Sequence, residues 1–223
     1  MLELHQRNLL KGVKTCKLDF RKYCVYGKQH RVSFKIGSHT SKGVLDYIHS
    51  DVWGPVSISS YSGAQYFVNF IYDYSRKVWI YFMKHKFDVF GIFKTWKAQV
   101  ENQTGRKIKY LRTDNGLEYR DKEFIRFCEL EGITRHFIVK GTPQQNDVAK
   151  RMNRTLVERA RCMRLNAGLL KVFWTETVNA TSFIINRSPS SAIDFKIPKE
   201  VLLGRLVDYS SLKIFGCLAY VHM

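Results

Sequence analysis

Residues 44–56, "VLDYIHSDVWGPV", decide the fold. The run is rich in apolar, β-branched and aromatic residues, stops at Gly54-Pro55, and is followed by "AQYFVNFIYDYSRKVWIYFM" (64–83), two further β runs broken at Asp73 to Lys77. Strand-like runs closed by turn residues predict an antiparallel meander of three strands. An ionised Asp51 inside the first apolar strand is costly unless it lies at an edge, meets a basic partner or coordinates a metal.

Downstream the period changes. Phe87, Phe90, Phe93 (or Ile92), Trp96 and Val100 recur at three- and four-residue steps up to Gly105, which predicts a helix. "KIKYLRTDNG" (107–116) reads as a short strand ending in a turn at Asp114. "DKEFIRFCELEGI" (121–133) reads as a second helix with Phe124, Phe127 and Leu130 inward and Gly132 as its stop, and a strand is expected over 134–139. The longest helical pattern runs from Asn146 to about Leu169, with Ala149, Met152, Leu156, Ala160 and Met163 as its apolar stripe. A further helix around 173–186 and a short strand in "LKIFGCLAYVH" (212–222) complete the pattern. The order β-β-β-α-β-α-β-α indicates a mixed α/β domain.

Charge points to the partner. The 223 residues carry 37 Lys and Arg against 19 Asp and Glu, a formal net charge of +18, which favours a polyanion, nucleic acid first. Residues 1–43 hold ten Lys or Arg against Glu3 and Asp19 and read as a separate basic segment. From 150 to 171 there are seven basic residues and one acid, Glu158. The five cysteines are widely spaced and form no CxxC pair, the pattern of reduced intracellular thiols, and neither a signal segment nor a membrane-spanning apolar run is expected.

Asp51 and Asp114, 63 positions apart, would be brought to one site if the first and fourth strands were neighbours. Each alone would also serve as a turn or capping residue. Together they suit a hard cation, Mg²⁺ or Mn²⁺, which prefers oxygen ligands and, as a pair of ions, promotes in-line attack at phosphorus.

The blocks "GKQHRVSF", "HSDVWGP", "DYSRKVWIYF", "RTDNGLEY", "TPQQN" with "RMNRTLVERAR", "NRSPS" and "FGCLAYVH" carry a resemblance over nearly the whole chain. In kind and order they resemble the integrase core of copia-type LTR retrotransposon Pol polyproteins, DDE polynucleotidyl transferases with a ribonuclease H-like fold. The resemblance implies a mixed five-stranded sheet flanked by helices, DNA as substrate, Mg²⁺ or Mn²⁺ as cofactor, and 3′ processing and strand transfer as the activity. It further implies a setting in the nucleus or a virus-like particle, and it leaves homo-oligomerisation open. On it, 1–43 is a remnant of the zinc-binding segment, 44–205 the catalytic core and 206–223 the start of the region after the core.

The same resemblance makes Asp51 the first catalytic acid and Asp114 the second. The third falls after 35 intervening residues, at Lys150. Where the family has N-G-V-A-E-R, this chain has "NDVAKR", so Asp147 replaces a glycine and Lys150 a glutamate. An ammonium some 4 Å from a unit positive charge is repelled by about 4 kcal/mol at an effective dielectric near 20, so divalent binding is expected to be weakened or lost. Lys150 is expected to pair with Asp51 and Asp114. Glu158 is not expected to substitute, because eight residues of helix rise about 12 Å. Gln144, Gln145 and Asn146 match the loop near the scissile end, and Lys150, Arg151, Arg154 and Arg161 are the phosphate contacts the family's basic helix implies. Zinc is not expected: Arg21 stands at the first cysteine position and Cys24 alone keeps its place, whereas a tetrahedral site needs four ligands. The expectation is a truncated, degenerate and catalytically impaired integrase core. The alternative is a non-catalytic nucleic-acid-binding module of the same fold.

Overall fold

The computed structural model describes residues 46–137, 147–210 and 212–217. Three strands open the fold: β1 (Tyr47–Trp53), β2 (Tyr66–Tyr72) and β3 (Val78–Met83), paired antiparallel in sequence order. β4 (Tyr110–Thr113) pairs parallel with β1 and β5 (Thr134–Phe137) parallel with β4, giving the order β3-β2-β1-β4-β5. Helices α1 (Val89–Thr104), α2 (Lys122–Leu130), α3 (Asp147–Asn166), α4 (Trp174–Ile185) and α5 (Pro198–Leu203) flank this mixed sheet.

Strand alternation sends alternate residues to two separate cores. On one face Ile48, Val68, Phe70 and Tyr72 meet Val89, Phe93, Trp96 and Val100 of α1 and Phe124 and Cys128 of α2. Phe70 and Trp96 stack there at a centroid distance of 4.2 Å. On the other face Phe67, Ile71 and Val78 meet Ala149, Leu156 and Ala160 of α3 and Val178 and Ile185 of α4. No helix among the described residues is long and apolar enough to cross a membrane.

The expected start of the first helix and one expected inward residue of the second are corrected. Phe87 is 75% exposed, because α1 begins only at Val89; Phe87 lies in a preceding 3-10 turn and stacks on His85. Leu130 is 77% exposed, because six residues after the buried Phe124 a helix has turned about 240°, and Cys128, one turn on, takes the inward place. Met152 and Met163 are half-buried at the margin of the α3 stripe. Residues 212–217 form no strand; they turn at 215–216. The basic segment 1–43, with Cys16, Cys24 and the zinc question, lies outside the described residues.

Gly54 shows why β1 ends as it does. Its φ is +126°, and a Cβ would stand 2.6 Å from the Gln65 carbonyl oxygen and 2.7 Å from the Tyr66 ring. Only glycine fits that backbone against β2.

Candidate functional site

The β1–β4 register sets the site. Tyr47 faces Tyr110, Ile48 faces Leu111 and His49 faces Arg112, an offset of 63 that is also the separation of Asp51 from Asp114. Carried two residues on, it brings both carboxylates to the same level at the ends of adjacent strands. Asp51 is 7% exposed, and Asp114 is half-buried just beyond β4.

Asp51 is held from three sides. Its backbone N–H donates to Oδ1 of Asn69, the residue opposite it on β2, at 3.2 Å. Asn69 Nδ2 donates to Asn153 Oδ1 at 2.6 Å, and Asn153 Nδ2 donates back to Asp51 Oδ2 at 3.0 Å. This closed ring fastens α3 to the sheet through buried polar groups, each satisfied by another. One position earlier, Ser50 Oγ donates to the Asn69 carbonyl at 2.8 Å and lies 2.7 Å from the hydroxyl of the fully buried Tyr119. One position further back, His49 Nε2 lies 2.9 Å from Asp73 Oδ1, which also meets Arg76 at 3.2 Å.

Asp114 Oδ1 accepts the Gly116 N–H at 3.0 Å, a local turn bond. The Glu118 carboxyl group lies over Gly116, 2.7 Å from where a Cβ would stand. Asp114, Glu118, Asp121 and Glu123 line an open cleft of about 720 Å³ beside Lys86 and Phe87.

Asp51 opens instead onto a smaller cleft of about 310 Å³, walled by Trp53 and Val157 and edged by Lys150, Arg154 and Glu158. Burial pushes the Asp51 carboxyl up to about 7, and the charges of Asp114 and Glu118 add to that rise, while Lys150 and the Asn153 hydrogen bond oppose it. Lys150 therefore acts on Asp51, but from a distance. Among the described residues neither Asp51 nor Asp114 lies within 4.0 Å of it in an ion pair, which corrects the expected direct pairing. The lysine is exposed and lines the cleft that the buried Asp51 also lines.

Arg151, Arg154 and Arg161 all lie on α3, and Arg154 alone of the three lines the Asp51 cleft. Gln144, Gln145 and Asn146 fall outside the described residues. Asn69, Asn153, Ser50 and Tyr119 were not foreseen. An asparagine amid the apolar run "YFVNFIY" was the available signal for Asn69. Glu158, not expected at the site on helical rise, lines the same cleft, as do Lys150, Asn153, Arg154 and Val157 of the same helix.

A pair of divalent ions does not fit this donor set. Asp51 Oδ2 and Asp114 Oδ1 each already accept a hydrogen bond, the expected third ligand is a cation, and among the described residues no three His, Cys, Asp or Glu side chains come together as a metal site.

Residues 42–143 match the family described as the integrase core domain. Over 220 residues, 99% of its length, the chain is 47% identical to the Retrovirus-related Pol polyprotein from transposon TNT 1-94 of Nicotiana tabacum, of which it covers 17%. An integrase core domain thus spans residues 42–143, and over nearly its whole length the chain is similar to copia-type retrotransposon Pol polyproteins. It spans less than a fifth of the length of the curated relatives it matches. In fold this integrase core is similar to a chain of a simian T-cell lymphotropic virus intasome, with a TM-score of 0.60 at 14% identity over 83% of this chain and 63% of that one. It is also similar to the HTLV-2 integrase catalytic core domain, solved in complex with magnesium in a trimeric form, with a TM-score of 0.51 at 16% identity over 70% of this chain and 95% of that one. The sheet and its helices are ribonuclease H-like.

Proposed function

We propose that this integrase core belongs to a DNA-integrating polyprotein and that its own DDE chemistry, 3′ processing and strand transfer, is impaired. The observation that carries this reading is Lys150 at the edge of the Asp51 cleft, its charge acting on the first acid where the resemblance expects the third. Integrase cores use divalent metals, and the HTLV-2 core was solved with magnesium. In this chain Asp51 and Asp114 are the carboxylates that would hold such an ion, and a lysine at the third position both removes a ligand and repels the cation. DNA is the proposed partner, and assembly with further copies follows the intasome and trimeric forms of its structural neighbours.

The test is Mg²⁺- or Mn²⁺-dependent processing and strand transfer on a short DNA end, comparing the chain with its Lys150→Glu variant. Activity only in the variant supports the reading. Activity in the unmodified chain overturns it.

A second reading, a non-catalytic DNA-binding module, is favoured by the exposed basic residues of α3 beside a site that does not suit metal.

A further inference from the structure

Asn186 gathers three cations from three parts of the chain. It follows α4 and is 4% exposed. Its Oδ1 accepts the Val78 N–H at 2.9 Å, its Nδ2 donates to the Val78 carbonyl at 2.7 Å, and its own carbonyl accepts the Lys199 N–H at 3.0 Å. Lys77 just before β3, Arg187 just after α4 and Lys199 in the first turn of α5 are thereby brought together, all three half-buried. Among the described residues none of them has a carboxylate within 4.0 Å. The nearby acids are engaged elsewhere. Asp73, in the turn before Lys77, meets His49 and Arg76; Glu200 accepts the Val207 N–H and lines a separate cleft with Arg205; Asp208 accepts the N–H and hydroxyl of Ser210. Tyr209 gives its hydroxyl to the Arg187 carbonyl, and Arg187 itself stacks on Phe183 and donates Nη1 to the Phe183 carbonyl.

Lys77 is thus a desolvated amine beside like charges. Burial, and then the charges of Lys199 and Arg187, lower it to about 8, whereas Lys97, also desolvated, is held up by Glu101 and Glu131. The Trp79 ring centroid lies 5.1 Å from Lys77 Nζ and covers one side of the amine. A neutral lysine amine is a nucleophile and an ammonium is not. The two cations next to it suit an anionic leaving group.

We propose that Lys77 is a modification site, whose amine takes an acyl group from a small acyl phosphate held by Arg187 and Lys199. The nitrogen lone pair forms the N–C bond, the C–O bond to phosphorus-bound oxygen breaks with its electrons leaving on phosphate, and the amine gives up one proton to phosphate or water. The amide formed is uncharged, so the step removes a desolvated cation from beside two others. Asp51 and Asp114 take no part in it.

The experiment treats the full chain briefly with acetyl phosphate near neutral pH and follows acetylation at each lysine by peptide mass spectrometry. Lys77 is expected to react about tenfold faster than the exposed Lys84, with a rate that rises with pH and levels off above about 8, and Lys97 is expected to lag. Inorganic phosphate should slow Lys77 and leave Lys84 unchanged. That competition uses the unmodified chain, so it needs no variant to fold. Arg187→Gln should slow Lys77 about tenfold, and Arg187→Lys, which keeps the charge, should not. The N-hydroxysuccinimide ester of acetate carries no phosphate, and its reaction at Lys77 should ignore inorganic phosphate. Acetylation of Lys77 no faster than that of Lys84, or a Lys77 rate with acetyl phosphate that is indifferent to inorganic phosphate, would overturn the inference.

Discussion

Asn153 Nδ2 donates to Asp51 Oδ2 at 3.0 Å, across 102 positions of sequence. The bond joins α3 to β1 within a ring that Asn69 closes. Asn153→Ala leaves a carboxylate oxygen and the Asn69 amide short of a partner in a buried site, and the loss of stability is expected to be about 3 kcal/mol. Urea unfolding measures it. Asn153→Asp should also be harmful, because it sets a second carboxylate against Asp51.

Asp51 makes the stability depend on pH. Burial raises its folded pKa to about 7 from the 3.8 of a free aspartate, so the folded chain holds this proton where the unfolded chain has released it. The stabilisation is complete below about pH 4 and is lost as pH rises toward 7, by about 1.4 kcal/mol per pH unit within that window. Subtracting the pH profile of Asp51→Asn from that of the unmodified chain should isolate this slope. A flat difference between pH 4 and 7 would contradict the burial-driven shift.

Lys150 pulls the Asp51 pKa down, so Lys150→Gln should move the Asp51 midpoint above about 7, and Lys150→Glu should move it further. Carbon-detected NMR titration of the carboxyl groups reads the shift directly. An unmoved midpoint would mean the ammonium swings clear of the site.

Trp96 separates size from polarity in the core. It is 1% exposed, stacks on Phe70, and its indole N–H has no hydrogen-bond partner among the described residues. Trp96→Ala is expected to cost about 4 kcal/mol. Trp96→Phe removes an unsatisfied donor along with some volume, so its cost should stay near about 1 kcal/mol in the same urea experiment.

Gly54→Ala places a Cβ 2.6 Å from the Gln65 carbonyl oxygen at a φ of +126°. The loss expected from that conformation is at least about 2 kcal/mol. Thermal unfolding reads it, and a neutral result would mean that the loop between β1 and β2 shifts freely.

Much of this was legible in the chain. The apolar, β-branched and aromatic runs in "VLDYIHSDVWGPV" and "YFVNFIY" report strands because a sheet covered by helices on both faces buries nearly every residue of its central strands, and the two aspartates stood out because a charge within such a run needs a reason. Registers were not legible. That Asn69 lies opposite Asp51, and that Asn153 reaches both, depends on which residues face one another across strands and helix, which no spacing along one segment contains. Leu130 and Phe87 were misplaced for a local reason: three- and four-residue steps identify a helix but do not fix its first residue or its phase. The direct Lys150 ion pair failed because a lysine in an aqueous cleft gains little by following a carboxylate into the interior.

The parallel pairing of β1 with β4 also orders events during synthesis. When the ribosome has released β1, β2 and β3, the chain has a meander with Asp51 on it and nothing beside that acid. β4 must then close a loop spanning the whole of β2, β3 and α1 before Asp114 arrives, and α3 comes later still with Lys150, Asn153 and Arg154. Long-range closure of this kind is slow. The cleft at Asp51 is thus assembled late, and in a nascent chain it stays without one of its walls until α3 has been translated.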